Sequence, residues 1–367
     1  MFDQPGEGIS DCTFSRLTGR VPEPVDEAHV RRAVQGRVLM ITGAGGSVGM
    51  ATTRLVGRGD PAHLVLVDRC EAALDRVAHG AARGCSVSAT LADVRDPASM
   101  RRILGRSRVD AVIHVAAHKH VPMAESQPVE YIRNNVFGTQ VILEAAQDAG
   151  ASQFLLVSTD KAARPSGVMG RTKWIAERLV LAASTEAFTC AAVRFGNVLG
   201  SSGSVLQRFQ EQVAAGDPLL ITDPQMTRYF MTPTEAAYTI VLALAFADGG
   251  DLCSIDLGAP VAIGTLADRF LECVDASTAS RAAACAEVVG RRRGERTHEH
   301  PPRGDRLGQT SLLVSREPRC SPAALTEAVR ALEEICREEE PPAAAARLEQ
   351  LMEPLRMARG SALSPQA

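Results

Sequence analysis

Lysine is almost missing from this chain of 367 residues. Of its 40 basic residues only Lys119, Lys161 and Lys173 are lysines. A desolvated lysine can give up its proton and an arginine cannot, so these three positions are candidates for sites that need an amine. Tyrosine is equally scarce, with Tyr131, Tyr229 and Tyr238 the whole complement. No apolar run reaches the roughly 18–20 residues of a membrane span. The first residues are acidic and polar, which excludes the apolar core of a secretory signal. Nine cysteines are scattered from Cys12 to Cys336 without a CxxC pair, a usage that points to a reduced, cytoplasmic protein and away from a zinc module. A net charge of −3 argues against a nucleic-acid surface.

What is present is ordinary for a globular chain: 45 % hydrophobic and 23 % charged residues. Apolar segments at 38–42, 63–67, 86–92, 109–115, 154–158 and 190–194 read as strands. Helical patterns lie between them, at 48–57, 128–148 and 169–184. That alternation predicts an α/β fold, a doubly wound parallel sheet of the Rossmann type. The expected division is an N-terminal arm (1–36, with a helix near 26–34), a dinucleotide-binding domain (37–195), a smaller substrate lobe interleaved with it (196–320) and a helical tail (321–367).

The stretch VLMITGAGGSVG ends the first strand and opens a helix. Gly43 permits the tight turn, Gly46 lets backbone approach a pyrophosphate, and Gly49 lets helix pack on strand. Around them Thr42, Gly45, Ser47 and Val48 complete the expected phosphate cradle, with helix N–H groups facing the anion. Asp68 ends the second strand, where a carboxylate binds the adenosine ribose hydroxyls and favours NAD. Arg69 follows it and can accept a 2′-phosphate, so NADP stays open. Asp93 and Val94, after the third strand, and Ala116 and Ala117, after the fourth, fall at the same sheet edge. Asp93 is either an adenine contact or the cap of the next helix.

Longer strings carry a resemblance: HVAAHKHVPMAE (114–125), NNVFGT (134–139), STDKAARPSGVMGRTK (158–173), VRFGNVLGSSGSV (193–205) and MTRYFMT (226–232). With the glycine turn they make the chain similar to the extended short-chain dehydrogenase/reductases. Within these it resembles the UDP-N-acetylglucosamine 4,6-dehydratases of polysaccharide biosynthesis. Many relatives carry an N-terminal membrane region; this chain resembles their soluble catalytic half, and 17–37 resembles the linker before it. Dimers or hexamers are common in the family, so a homo-oligomer without nucleic-acid or membrane partners is expected.

All three lysines fall inside these strings. The resemblance implies that Asp160 protonates the leaving hydroxyl, Lys161 removes the C5 proton, Thr159 binds O4 and Lys173 holds the nicotinamide ribose, with Asn135 at the cofactor. Lys161 would then have to be neutral near pH 7, through desolvation and a neighbouring cation. Met169 stands where most short-chain enzymes carry a tyrosine, as in some dehydratases of this family. Water, Thr159 with a relay, or Asp160 is left to take the O4 proton. For the nucleotide sugar, the resemblance implies His118, Lys119, Asn197, Gly203, Ser204 and Arg228, the last holding phosphate bidentately. It adds Arg292, with Glu295 capping, from the loop GRRRGERTHEH (290–300). His114, His118 and His120 are not read as a metal site, having no carboxylate or cysteine partner nearby. The expected reaction is 4,6-dehydration of a UDP-hexosamine with the cofactor recycled in place. A 4-epimerase, a 5,6-dehydratase and a non-catalytic NAD-binding regulator are the alternatives.

Overall fold

The computed structural model describes residues 9–81, 84–274, 287–337 and 340–357. Six parallel strands form its centre: β1 (Val38–Thr42), β2 (His63–Asp68), β3 (Val87–Leu91), β4 (Ala111–His114), β5 (Gln153–Thr159) and β6 (Thr189–Phe195). Their order is β3-β2-β1-β4-β5-β6. Beyond β6 the strand Asp251–Ile255 adds in parallel, and Leu312–Arg316 and Asp305–Arg306 close that edge antiparallel. The expected fold class is thus the observed one.

Strands β1, β2, β4, β5 and β6 are mostly apolar and buried because both faces of the sheet are covered there, whereas β3, at the edge, is partly exposed. Leu39 and Ile41 of β1 enter one core, with helices Glu27–Val34, Ser47–Val56 and Pro233–Phe246. Met40 between them enters the other, with helices Pro97–Ser107, Gly138–Asp148 and Val168–Ala182. Alternate side chains of a strand point to opposite faces, so one five-residue segment feeds both cores. Chain order reverses between β1 and β4, and a crevice opens at the carboxyl ends of these two strands.

Two further clusters flank the crevice. Helices Asp11–Thr18, Val205–Ala215 and Ile263–Leu271 bury Phe14, Leu17, Phe209 and Phe270 in a small lobe. The described part of the expected arm is therefore packed, not free. Arg20 ties it down by donating to both oxygens of Glu235, at 2.6 and 2.9 Å. Helices Pro322–Ile335, Pro341–Gln350 and Met352–Met357 pack against Val168–Ala182 and its neighbours. The helix expected over 128–148 is interrupted: Pro128–Ile132 and Gly138–Asp148 are separated by a π turn, Arg133–Phe137, a distortion that widens a helix where it borders a site. Among the described residues no helix is long and apolar enough to cross a membrane.

Candidate active site

A cavity of about 660 Å³ occupies the crevice. Gly43, at its inner end, has φ +66° and lies so close to β4 that a Cβ would stand 2.7 Å from Ala116 Cα. Only glycine satisfies both the conformation and the approach. Gly43, Gly46, Ser47 and Val48 face the cavity, whereas Thr42, Gly45 and Gly49 stand behind it. The helix Ser47–Val56 starts without a side-chain cap, which leaves its first N–H groups to an anion in the cavity. Asp68 and Arg69 line the same end. The Asp68 carboxylate accepts from Gly45 N and Cys70 N, both at 2.9 Å, and thereby braces the turn.

Thr42 supports the turn from beneath through a buried chain. The Thr139 hydroxyl donates to Asn135 O (2.7 Å), so His114 Nε2 donates to Thr139 (3.1 Å) and His114 Nδ1 accepts from Thr42 (2.7 Å). Full burial, reinforced by Lys173, lowers the His114 pKa to about 3. Both its nitrogens are used, which separates it from His118 and His120.

Several expected cofactor contacts are placed differently from the reading of the sequence. Asp93 lines the cavity but neither caps a helix nor stands free. It takes three hydrogen bonds from the Arg95 guanidinium (2.6–3.0 Å), and this partner holds its carboxyl below the ordinary range. Asp96 caps the helix instead. Asn135 is fully buried; its amide donates to His118 O and Thr172 Oγ1 and accepts from His118 N. It fixes the His118 backbone, and the neighbouring Asn134 is the residue that reaches the cavity. Val94, Ala116 and Ala117 line the cavity as expected from their strand ends.

The three lysines converge on this cavity. Lys173 and Met169, on the helix Val168–Ala182, are 4 % exposed. Burial brings the Lys173 pKa down to about 8, with Glu177 opposing. Lys161 has the reverse character. Its Nζ donates to Asp160 Oδ1 and Asn197 Oδ1, each at 3.0 Å, and lies 3.4 Å from Glu299 Oε1. Burial alone would lower its pKa, but Asp160 and Glu299 together outweigh burial and Arg228, and the net shift is upward. The expected lowering of the Lys161 pKa is therefore not found: a cation, Arg228, acts on it, but the two carboxylates dominate. Thr159 and Lys161 face the cavity directly. Asp160 sits behind them, joined to Thr159 Oγ1 at 2.9 Å, and borders a second cavity of about 110 Å³.

At the far end, His118, Lys119, Asn197, Gly203 and Ser204 line the wall. Lys119 Nζ reaches Ser201 Oγ at 3.4 Å, and burial lowers its pKa. Gly203 lets His120 close in: a Cβ there would meet its ring at 2.6 Å. Ser204 Oγ is buried without a partner. Arg228 borders the cavity, but its expected grip on phosphate is taken up internally. Its guanidinium donates to the carbonyls of Thr227, Thr297 and Arg296 and to Met226 Sδ. Arg292 is exposed and lies off the cavity; Arg296 and Arg208 line it instead. Glu295 Oε2 accepts from Arg292 N at 3.0 Å, the capping role expected of it. Glu299 was missed. Its side chain is 2 % exposed and its Oε2 has no partner. Its one signal was its place at the end of the 290–300 loop, where sequence spacing alone says nothing of a lysine at 161.

Residues 39–306 match a family described as polysaccharide biosynthesis protein. The chain belongs to that family. It is 40 % identical over 261 residues to the capsular polysaccharide biosynthesis protein CapD of Staphylococcus aureus, covering 70 % of this chain and 44 % of the relative. The chain thus spans about half the length of that relative. A UDP-N-acetylglucosamine 4,6-dehydratase (inverting) of Campylobacter jejuni is 30 % identical over 268 residues, 71 % of this chain and 76 % of the other. A UDP-glucose 4-epimerase of Rickettsia conorii is similar at 31 %, over 72 % and 76 %. Among solved structures, Pen from Bacillus thuringiensis superimposes with a TM-score of 0.66 at 27 % identity, covering 72 % of this chain and 80 % of that one. Among the chain's relatives are thus proteins named as a nucleotide-sugar dehydratase and as a nucleotide-sugar epimerase.

Proposed function

We propose that this protein is a UDP-N-acetylhexosamine 4,6-dehydratase that keeps its dinucleotide bound through the cycle. The observation that carries the reading is the meeting of Thr159 and Lys161 with Lys173 and the glycine turn in one cavity, while Met169 fills the position of the usual tyrosine. The bare helix N-terminus at Ser47, the uncluttered Gly46 and the Asp68 carboxylate fit a dinucleotide. When bound, the nicotinamide supplies a reversible two-electron acceptor. Lys173 lies where a cation can hold its ribose, and Asp68 favours NAD.

The chain's own residues then manage protons. Thr159 Oγ1 holds O4 and passes the O4 proton to Asp160 Oδ1, 2.9 Å away. Asp160 keeps that proton and returns it, by the same hydroxyl, to the leaving O6. Lys161 takes the C5 proton and gives it back once the C6 methyl has formed. Its ammonium also offsets negative charge developing on O4. A thioether has no proton to exchange, so Met169 leaves O4 to Thr159 and Asp160. This disfavours the epimerase, for which a tyrosine serves as the reversible base. His118, Lys119, Asn197 and Ser204 take the sugar nucleotide, with Arg208 and the unpartnered Nη1 of Arg296 to meet its diphosphate; the rest of the Arg296 guanidinium is held by Ser166 Oγ and Arg164 O.

The test is incubation of the purified chain with NAD and UDP-N-acetylglucosamine, followed by mass spectrometry and absorbance at 340 nm. Loss of one water without net NADH is the expected result. Absence of product from every UDP-hexose and UDP-hexosamine tried would overturn the proposal.

A further inference from the structure

Lys161 has three N–H bonds, and three oxygens stand around it. Asp160 Oδ1 and Asn197 Oδ1 lie at 3.0 Å and Glu299 Oε1 at 3.4 Å. Two of these contacts are hydrogen bonds and the third is an ion pair, and an ammonium so held has no lone pair for a proton from carbon. The proposed reaction nevertheless frees two protons before it consumes one, from O4 and from C5. Asp160 has room for the first. Asn197 offers an amide oxygen, which does not hold a proton at neutral pH.

We propose that Glu299 is the second proton acceptor of the site, working through Lys161. This rests on the dehydratase reading and completes its proton count. As the C5–H bond breaks, its electron pair enters the C4–C5 bond of an enolate. For this Lys161 Nζ first gives a proton to Glu299 Oε1, and the lone pair so freed takes the proton from C5. The transfers reverse when C5 is reprotonated, so Glu299 ends each cycle as a carboxylate. Glu299 is thus a positioning residue, since it acts on the substrate only through the lysine.

The surroundings of Glu299 suit that task. It is held by the 296–299 segment, which Arg228 pins through the carbonyls of Arg296 and Thr297. Thr227 N donates to Thr297 O at 2.8 Å, and Thr227 Oγ1 pairs with His298 Nδ1 at 2.9 Å. The carboxylate is almost fully enclosed, and its Oε2 is unpartnered. A buried carboxylate oxygen without a donor is costly, and its retention calls for a reason in function. The charged groups facing Lys161 are Asp160 from its own turn, Glu299 from the loop and Arg228 from the 227–228 strand. Asp160 in turn faces Arg194 and Tyr229. Glu299 is therefore the one carboxylate among these that reaches Lys161 from outside the Thr159-Asp160-Lys161 turn.

The scarcity of lysine provides the test. Protein grown on [6-13C]lysine gives one Cε resonance for each of Lys119, Lys161 and Lys173, assigned by Lys→Arg variants. Glu299→Gln should move the Lys161 titration to lower pH by about one unit or more, leaving Lys173 in place. It should reduce kcat by about 10²–10⁴-fold with little change in KM, and slow deuterium exchange at C5 of the 4-keto product in D₂O. Glu299→Asp should restore part of kcat and of the exchange. An unmoved Lys161 titration in a folded Glu299→Gln protein would overturn the proposal, as would a kcat within a few-fold of wild type. The lysine resonances need no turnover. A wild type inactive on UDP-N-acetylglucosamine would therefore count against the dehydratase reading, while the titration would still decide the link between Glu299 and Lys161.

Discussion

The two ends of the cavity wall reach opposite electrostatic solutions with the same side chain. Lys173 sits on a helix amid apolar packing, and burial lowers its pKa to about 8. Lys161 sits at a strand end between Asp160 and Glu299, and the carboxylates raise its pKa against the same desolvation. At the cofactor end the buried side chains are internally satisfied, with Thr42, His114, Thr139 and Asn135 joined in one chain, and the backbone N–H groups at the helix start are left for an anion. The catalytic end keeps polar atoms unspent, at Asp160 Oδ2, Glu299 Oε2 and Ser204 Oγ. A binding region is stabilised by satisfying its groups, whereas a reacting region holds groups ready for a partner that is not part of the chain.

Substitutions at the catalytic end should have the largest effects. Lys161→Met and Asp160→Asn should each cut turnover by about 10²–10⁴-fold with cofactor affinity kept, read from steady-state kinetics and NAD titration. Loss of NAD binding together with turnover would erase the distinction between the two ends.

Next in size is Lys173→Met. With a folded pKa of about 8 against 10.5 unfolded, the unfolded chain holds more protons between these values, so wild-type stability rises with pH across that window. The variant should lack this rise and be more stable at pH 7, by on the order of 2–3 kcal/mol, while binding cofactor less tightly. Denaturant melts at pH 7 and pH 10 check this. His114 has the same sign in acid: folded at about 3 and unfolded near 6.5, it costs stability as pH falls through that range, a component His114→Asn should remove.

Gly43→Ala forces a side chain into a φ of +66° against Ala116. It should cost at least about 1–2 kcal/mol and weaken NAD binding, with residual turnover at saturating NAD. Asp68→Ser should have the smallest effect, moving preference toward NADP by about tenfold or less. A larger change would mean that the Asp68 brace on Gly45 also shapes the turn.

The same contrast sorts what could be read along the chain. The strands and the glycine turn were legible because their rules are local: both-face burial makes continuous apolar runs, and Gly43 answers to its own dihedral. The packing of residues 9–18 was not, since their partners are Phe209 and Phe270. Asn134 and Asn135 exchanged places because a π turn sets their directions, and that distortion left no mark in composition. Arg228 was read as a phosphate ligand by type and position; what its guanidinium touches depends on a loop some seventy residues downstream. The same long-range pairing concealed Glu299, and with it the charge state of Lys161.

The central claim is that one sugar is oxidised at C4 and reduced at C6 without leaving the cavity. UDP-N-acetylglucosamine deuterated at C4 tests it directly, by NMR and mass spectrometry of the product. The account predicts a 4-keto-6-deoxy sugar whose C6 methyl carries the deuterium from its own C4. A product that keeps the deuterium at C4 with inverted configuration and the C6 hydroxyl intact would contradict it.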